Sequence, residues 1–301
     1  MGRRGGPHQG PDGLVVVDKP AGWTSHDVVA KSRGLLGTRK VGHAGTLDPD
    51  ATGVLLLGVG RATKLLRFLS PLGKSYVGEV VLGVETSTLD AAGEVTATHD
   101  MAGVALADVQ AAAEAFRGDI RQVPPMVSAL KVDGKRLHQL AREGIEVERE
   151  ARPVTISALE VHPGPDGEAG VFTVDVTCSS GTYIRSLAAD IGTALGGGAH
   201  LRNLRRTSVG PFTLADAVPL EGVSPDVVLP MIEAVRHLDA CHVDEAVAAD
   251  VRVGKVLERE VLGIDAEAEG PWAVVAPDGA LLAVYEPFRG STAKPAVVLV
   301  G

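Results

Sequence analysis

The sequence predicts an α+β protein, with a mixed β-sheet core and flanking helices followed by a small all-β domain. Residues 13–221 interleave strand-like apolar runs with helical segments, without the regular strand–helix–strand rhythm of a doubly wound sheet. Two prolines within 222–230 mark a boundary, beyond which short strand-like segments are separated by turn sequences. A chain of 301 residues is long enough for two domains. We therefore expect one domain at 13–221, and a linker with a second domain at 222–301.

The first elements are predicted from apolar runs and capping residues. Residues 1–12 contain two arginines without an apolar stretch behind them, so we expect a short disordered tail and not a signal peptide. The apolar run 14–17 predicts a strand that ends at a turn sequence. Thr24 or Ser25 can cap a helix that ends near Leu36, because a glycine follows.

The middle of the chain contains a glycine-rich loop, several regular elements and one basic segment. The loop spans 42–53, and the basic segment spans 124–152 after a pair of prolines. A basic segment of this kind is either a mobile insertion or a solvated face. Alternation, apolar content and alanine-rich composition predict the regular elements, which are strands at 54–57, 76–84 and 171–176 and helices at 105–116 and 182–195.

The C-terminal part is predicted to be all-β from short apolar segments between turns. The turn sequences lie at 277–279 and 287–290. The strand-like segments lie at 251–253, 272–275, 281–285 and 297–300.

Composition indicates a globular protein of a reducing compartment. No run of about 18 apolar residues is present, so a membrane span and a membrane partner are not expected. Cys178 and Cys241 lack metal-type spacing, and neither a disulfide framework nor a zinc site is predicted. We expect a cytoplasmic location.

The net charge of −9 is concentrated at the C-terminal end. Residues 216–301 hold 15 Asp and Glu against 6 Lys and Arg, a net charge of −9, so residues 1–215 are neutral. A neutral domain can still carry a basic groove, so the total charge does not exclude a nucleic-acid partner. Taken alone, the composition favours an acidic cytoplasmic enzyme with a small substrate.

Asp48 is the principal candidate for chemistry, because it lies in the shaped loop 42–53. Pro49 disfavours helical backbone at Asp48, and the glycines allow conformations closed to other residues. One interpretation is an ordinary turn-forming aspartate. The other is a nucleophile or general base, which an arginine within contact range would keep ionised and oriented. The residues alone leave both interpretations open.

Two further segments contain aromatic or cationic candidates. Tyr183 and Arg185 lie at a strand–helix junction, and Tyr76 lies in a predicted strand. The conservative interpretation is a core tyrosine, a surface arginine and a sheet tyrosine. The functional interpretation is an arginine that pairs with a buried acid and aromatic rings that stack on a base, at about 1–3 kcal/mol per base.

Six segments together closely resemble the TruB family of tRNA pseudouridine synthases. They occur in the order and spacing of that family and span residues 13–215, and the terminal part resembles a PUA-like domain. Six co-linear motifs are far more specific than one glycine-rich loop. The matching segments are Lys19-Pro20, 42–53, Lys74-Ser75-Tyr76, 123–131, Gly181-Thr182-Tyr183-Ile184-Arg185 and 198–206.

The resemblance implies isomerisation of uridine 55 to pseudouridine in the tRNA T-arm, with 13–221 as the catalytic domain. It implies that Asp48 is the essential aspartate, that Arg185 pairs with it, and that Tyr76 stacks on the target base. It further implies an RNA-clamping insertion at 124–152. The implied substrate-binding residues are His43, Tyr76, Tyr183, Leu204, Lys19, Lys131 and Arg205.

The reaction class needs no metal, nucleotide or redox cofactor, and the chain lacks a phosphate-binding loop and a dinucleotide fingerprint. We expect tRNA as the partner of a monomer that needs no protein partner.

A retaining glycosidase would require a second carboxylate about 5–5.5 Å from the first, and only Asp50 lies near Asp48 in sequence. A non-catalytic RNA-binding or tRNA-folding protein and a guided, dyskerin-type synthase are two further classes compatible with these residues.

Overall fold

The computed structural model describes residues 10–128, 130–132, 135–137, 140, 143–145 and 147–299. Most of the predicted tail at 1–12 therefore lies outside the described residues. Its last residue, Asp12, accepts hydrogen bonds from the backbone N–H and from Nε of Arg61. The chain is thus anchored from Asp12 onward.

The chain forms two compact units. One consists of Met1–Pro49, Val54–Pro71 and Gly210–Gly301, and the other of Asp50–Gly53 and Leu72–Val209. We call them the outer unit and the central unit, after the parts of the sequence they contain. The α-helices whose bounds lie within the described residues are α1 Ser25–Leu35, α2 Leu66–Leu69, α3 Leu106–Glu114, α4 Ile184–Ala194 and α5 Glu245–Arg252.

The strands of the outer unit include an N-terminal group and a C-terminal sheet. Strand β3 begins in the central unit with its first two residues and continues in the outer unit. The N-terminal group is β1 Gly13–Lys19, β2 Val41–Ala44, β3 Thr52–Val59, β13 Phe212–Thr213 and β14 Val218–Pro219. The C-terminal sheet contains β15 Asp239–His242, β16 Leu257–Glu258, β17 Trp272–Val275, β18 Leu281–Pro287 and β19 Thr292–Val298.

The strands of the central unit lie between β3 and β13 in the chain. They are β4 Lys74–Leu82, β5 Val84–Thr86, β6 Val95–Thr98, β7 Gly118–Gln122, β8 Lys131–Val132, β9 Lys135–Arg136, β10 Arg152–Pro163, β11 Val171–Cys178 and β12 Ala199–Val209.

The N-terminal group of the outer unit combines parallel and antiparallel pairs. Strand β1 pairs in parallel with β14, and β2 pairs antiparallel with β3. Helix α1 begins where predicted, because the Thr24 hydroxyl accepts from the backbone of Asp27 while the Asp27 carboxylate accepts from the backbone of Thr24. Apolar residues of β1, β3 and α1, such as Val15, Val28 and Leu57, form one buried cluster.

The C-terminal sheet has the strand order β15-β17-β18-β19-β16, which confirms a C-terminal β domain. Its core includes Trp272 and Tyr285, both almost fully buried. The prediction of a strand at 251–253 is wrong. Val251 belongs to α5, whose N-terminus is capped by the Asp244 side chain, and its side chain packs in the core from the helix.

The central unit contains the order β12-β4-β11-β10-β7, with antiparallel pairs throughout this series. Residues 52–53 at the start of β3 pair in parallel with Arg205 and Arg206 of β12. The sheet is therefore mixed, which confirms the predicted α+β class. Helices α3 and α4 contribute Val109, Leu187 and Ile191 to the core cluster of this unit.

Both cysteines, Cys178 and Cys241, are free thiols in buried positions. None of the helices in the described part of the chain has the length and apolar character that a membrane span requires.

Candidate active site

Asp48 lies in the connection between two antiparallel strands, β2 and β3. The pairs His43–Leu57 and Ala44–Leu56 close this hairpin. The loop is shorter than the predicted 42–53, because 42–44 and 52–53 are in strands and 45–51 form the connection. Asp48 is half-buried at its centre. A carboxylate at this position is held by two strands and remains partly accessible to a ligand.

The loop is anchored by the residue next to Asp48. Leu47 is buried, with 3% of its surface exposed. The Ser25 hydroxyl at the start of α1 accepts a hydrogen bond from Leu47 N at 2.9 Å and donates to Leu47 O at 3.2 Å. Both backbone groups of Leu47 are therefore satisfied by one side chain, and this fixes the backbone orientation just before Asp48.

Lys19 anchors the other side of the loop. Its side chain is fully buried at the end of β1, and Nζ donates to the carbonyl oxygens of Pro20 at 2.8 Å, Trp23 at 2.6 Å and Pro49 at 2.8 Å. The Gly22 N–H donates to the same Pro49 oxygen. Three backbone acceptors match the three N–H groups of an ammonium. This geometry supports a role in positioning Asp48, and the predicted contact of Lys19 with RNA stays a prediction.

His43 is held on β2 by its backbone pairing and by a neighbouring ring. Its imidazole contacts that of His26 on α1 edge to face, with ring centroids 5.2 Å apart and an interplanar angle of 83°. His26 is exposed, and His43 is half-buried. The outer unit thus carries three predicted site residues, Lys19, His43 and Asp48, on or beside one loop.

Tyr76 and Leu204 are brought together on adjacent strands of the central unit. Both are half-buried and pack against the same core cluster. Tyr76 and Gly78 point to one face of β4 because they are two residues apart. A Cβ built on Gly78 would lie 3.3 Å from Leu204 Cδ1, so the missing side chain leaves room for Leu204. Their arrangement suits a partly apolar pocket that accepts a flat ring.

Tyr183 is fixed at the N-terminus of α4 by the side chain of Gln122, which is not among the predicted site residues. The buried Gln122 donates from Nε2 to Tyr183 O at 3.0 Å and accepts from Tyr183 N at 2.7 Å. This pair of hydrogen bonds to the backbone replaces a side-chain helix cap, which Tyr183 does not provide. Nothing in the local pattern around Gln122 indicates this role.

Arg185, in the first turn of α4, is buried and has several partners in the central unit. It donates to Thr88 O at 3.0 Å and to Val127 O at 2.9 Å, and Nη1 lies 3.3 Å from a carboxylate oxygen of Asp90. Asp90 was not predicted as a site residue, since nothing links it to Arg185 in the sequence. The interpretation of Arg185 as a surface arginine is wrong, because only 4% of the residue is exposed.

Arg205 and Lys131 complete the predicted set. Arg205 Nη1 donates to Thr52 Oγ1 at 3.2 Å, which ties β12 to the residues that follow the Asp48 loop. Lys131 lies in the short hairpin β8–β9, and its side chain is outside the described part of the structure. The predicted pairing of Asp48 with Arg185 stays a prediction. Among the described residues, no three His, Cys, Asp or Glu side chains form a metal-binding group.

Lys74, two residues before Tyr76, is a buried lysine whose contribution to the free energy of unfolding is expected to depend on pH. Burial, and after it the charge of Arg206, lowers the pKa of Lys74 from 10.5 to about 8, while Cys178 acts in the opposite direction. Between these values the unfolded chain binds more protons than the folded one, so the Lys74 contribution to the free energy of unfolding rises with pH from about 8 to 10.5. We expect Lys74→Met to abolish that rise.

The measurement is urea unfolding of both proteins at a series of pH values from about 7 to above 10. Burial raises the pKa of the Cys178 thiol. The contribution of this thiol to the free energy of unfolding therefore falls as the pH rises through the same alkaline range. The Lys74 charge also lowers the pKa of this thiol, so both proteins are compared in a Cys178→Ala background, where the difference between them isolates Lys74. Lys40→Met, at an exposed lysine, serves as the matched control. Parallel pH profiles for wild type and Lys74→Met would contradict the burial of an ionisable Lys74.

Three family models match consecutive parts of the chain. The TruB family pseudouridylate synthase N-terminal domain matches residues 33–184, the tRNA pseudouridylate synthase B C-terminal domain matches 185–239, and the tRNA pseudouridine synthase II C-terminal model matches 238–300. Together they account for the chain from the end of α1 to the last strand.

Known proteins resemble the chain over nearly its full length. The tRNA pseudouridine synthase B of Arthrobacter sp. is 48% identical over 95% of this chain and 96% of its own. The protein of the same name from Geobacillus thermodenitrificans is 43% identical over 94% and 98%. A solved Cbf5-Nop10-Gar1 complex contains a chain that superposes with a TM-score of 0.73 at 27% identity, covering 96% of this chain and 85% of that one.

Proposed function

This chain belongs to the TruB family of pseudouridylate synthases, and from that premise we propose that it isomerises uridine 55 in the T-arm of tRNA to pseudouridine. The half-buried Asp48, in a loop held by Lys19 and Ser25, is the observation that carries the proposal. Such rigid anchoring is expected of a reacting carboxylate, and an ordinary surface turn has no need of it.

We infer that the reaction starts with extrusion of the target nucleotide from the T-loop. A base inside a folded loop cannot be reached, and extruding it costs a few kcal/mol. Stacking on Tyr76 and contacts of basic side chains with phosphates offset this cost. Tyr76 and Leu204 pack against one core cluster and Leu204 lies against Gly78, which supports a place for the uracil ring on this face of β4.

Asp48 then promotes cleavage of the bond between uracil N1 and ribose C1′. The uracil turns while it is held, a bond forms between C5 and C1′, and the proton leaves C5 while N1 gains one. The product is an isomer of the substrate, so no oxidant, reductant or co-substrate is consumed. Arg185, which touches Thr88, Val127 and Asp90, is the cation that we propose to act with Asp48 on the same uridine.

The remaining predicted residues are assigned to RNA binding. Basic side chains of the proposed insertion 124–152, together with Arg205 of β12, would contact phosphates of the T-arm. We propose Tyr183 and Leu204 for the uracil pocket, His43 for the flipped nucleotides, and Lys131 and Arg205 for the phosphates. Lys19, whose buried ammonium already donates to three carbonyl oxygens, would assist substrate binding by holding the loop.

We propose a division into a catalytic domain at 13–221 and a PUA-like domain with its linker at 222–301. The C-terminal family match at 238–300 and the sheet β15–β19 support this division. We further propose that the protein acts as a monomer in the cytoplasm, without an obligate protein partner. The near full-length match to tRNA pseudouridine synthase B relatives favours a stand-alone enzyme over a guided one.

The direct test is incubation of the protein with a T-arm stem-loop that contains one uridine, at the target position. Pseudouridine has the mass of uridine, so the product is detected by selective chemical derivatisation followed by mass spectrometry. The matched control RNA carries cytidine at this position. Absence of product from the uridine RNA, with the protein folded and the RNA bound, would overturn the proposed activity.

Binding of the T-arm is expected to weaken steeply with salt. Each phosphate neutralised by a basic residue releases counterions, and the affinity should fall about tenfold or more between 50 and 200 mM salt. Lys131→Met should reduce the slope of log affinity against log salt by about 1 if Lys131 contacts a phosphate. Fluorescence anisotropy at several salt concentrations measures both. An affinity that does not change with salt would contradict an RNA substrate held through its phosphates.

A further inference from the structure

Arg206 is an almost completely buried cation that the proposed reaction does not use. Only 1% of its surface is exposed, and burial lowers its pKa. Lys74, a second cation, is close enough to Arg206 for their charges to interact and is itself only 6% exposed. Burying two like charges costs free energy, and apolar side chains of similar size often give a more stable protein. The pair therefore calls for an explanation beyond sheet packing.

The register of the sheet places both cations beside Tyr76. Arg206 lies directly opposite Tyr76 in the antiparallel pair of β12 and β4, and Lys74 lies two residues before Tyr76 on the same face. The Arg206 guanidinium donates a hydrogen bond to the Tyr76 side chain, and this contact opposes the effect of burial on the pKa of Arg206. A charge-assisted bond of this kind holds the hydroxyl, and with it the plane of the ring.

The backbone of Arg206 is fixed by the strand that follows the Asp48 loop. Gly53 pairs with Arg206 in parallel and has a φ of +102°, and a Cβ built there would lie 2.1 Å from Arg206 O. Only glycine allows so close an approach. The backbone of Arg206 is thus held by the start of β3, and its side chain is held by Tyr76 of β4.

We propose that Arg206 is a positioning residue for Tyr76, which it holds in the orientation that stacks on the target base. The proposal rests on the proposed function, because Tyr76 is assigned there to the uracil ring. A guanidinium bonded to the hydroxyl restricts rotation of the ring about its side-chain torsions. The base then meets a ring that is already oriented, which lowers the cost of reaching the reactive geometry.

A double-mutant cycle between Arg206 and Tyr76 tests this role. Arg206→Met removes the charge and the donor, and Tyr76→Phe keeps the ring and removes the hydroxyl. We expect Arg206→Met to lower the single-turnover rate on the T-arm stem-loop about tenfold in the wild-type background. In the Tyr76→Phe background the same change should cost less than about twofold. Equal losses in the two backgrounds, or a wild-type rate for Arg206→Met, would overturn the proposal.

Arg202→Met is the matched control on the same strand. Arg202 bonds Glu79 and Glu168, and we expect the rate to be unchanged by its replacement. If Arg206→Met unfolds below the assay temperature, Arg206→Lys is used in the same cycle. Lysine retains a charge but not the planar donor group, so a smaller loss that again disappears in the Tyr76→Phe background is expected.

A spectroscopic readout separates this proposal from the proposed function. The chain has three tyrosines, Tyr76, Tyr183 and Tyr285, so 3-fluorotyrosine labelling gives a spectrum with three fluorine signals. Arg206→Met should shift or broaden the Tyr76 signal alone, and Arg202→Met should shift none. If wild type forms no pseudouridine, the proposed function fails while this contact can still be verified. If wild type is active and the Tyr76 signal does not respond to Arg206→Met, only the role of Arg206 is overturned.

Discussion

Asp48→Asn is expected to abolish pseudouridine formation and to leave tRNA binding within a few-fold of wild type. Asparagine has nearly the same shape, but it can neither act as a nucleophile nor accept a proton as a carboxylate does. The loop should keep its conformation, because its anchors are the backbone contacts of Leu47 and Pro49 and not the Asp48 side chain alone. Single-turnover assays with the T-arm stem-loop and anisotropy measurements of binding give the two quantities.

The matched control is Asp50→Asn, which removes the same charge two residues later. Asp50 is exposed, and we expect this variant to keep the wild-type rate. If Asp48→Asn forms substantial product, Asp48 is not the reacting carboxylate. If both variants lose activity alike, a two-carboxylate mechanism such as that of a retaining glycosidase becomes the better explanation.

Lys19→Met is expected to lower the single-turnover rate on the order of 100-fold and to reduce the free energy of unfolding by a few kcal/mol. Methionine can fill the space of the hydrocarbon chain but leaves the carbonyls of Pro20, Trp23 and Pro49 without the lysine donor. A buried acceptor without a donor costs about 1–3 kcal/mol, partly offset because a buried ammonium is no longer required. The Asp48 loop then loses one of its two anchors.

The outcome of Lys19→Met distinguishes two roles for this residue. A lower rate with unchanged RNA affinity supports the positioning of Asp48, whereas a lower affinity with an unchanged rate supports direct contact with RNA. Lys31→Met, at an exposed position of α1, is the control for loss of one positive charge. Lys19→Arg should rescue poorly, because a planar guanidinium does not match three acceptors arranged around one ammonium. A wild-type rate for Lys19→Met would contradict the anchoring role.

Local patterns were sufficient for much of the fold. The cap at Thr24, the alternation in β4 and the apolar run in β17 depend on residues that are neighbours in the chain, so the sequence predicts them directly. The strand prediction at 251–253 failed because a short apolar run has no clear period. There the cap at Asp244 and burial against the C-terminal sheet favour the helix.

The candidate site was predictable only as separate residues. The six motifs that resemble one family predict Asp48, Tyr76 and Arg185 as site residues. The same motifs do not predict which side chains and backbone carbonyls hold these residues in place. Lys19 reaches Pro49 across 30 positions, and Arg185 reaches Thr88 across 97. The sequence around Gln122 and Asp90 does not indicate that these residues contact α4. Contacts over such separations depend on strand order and register, which no short window of sequence contains.

The sequence by itself determined the class of fold, the acidic C-terminal end and the identity of the reacting carboxylate that we propose. These properties depend on composition and on short motifs, which act over a few residues. The tertiary structure decided that Lys19 and Ser25 hold the Asp48 loop and that the buried Arg206 faces Tyr76. The physical reason is that a buried polar group requires a hydrogen-bond partner. Which residue becomes that partner depends on the register of the strands and on which groups are buried together.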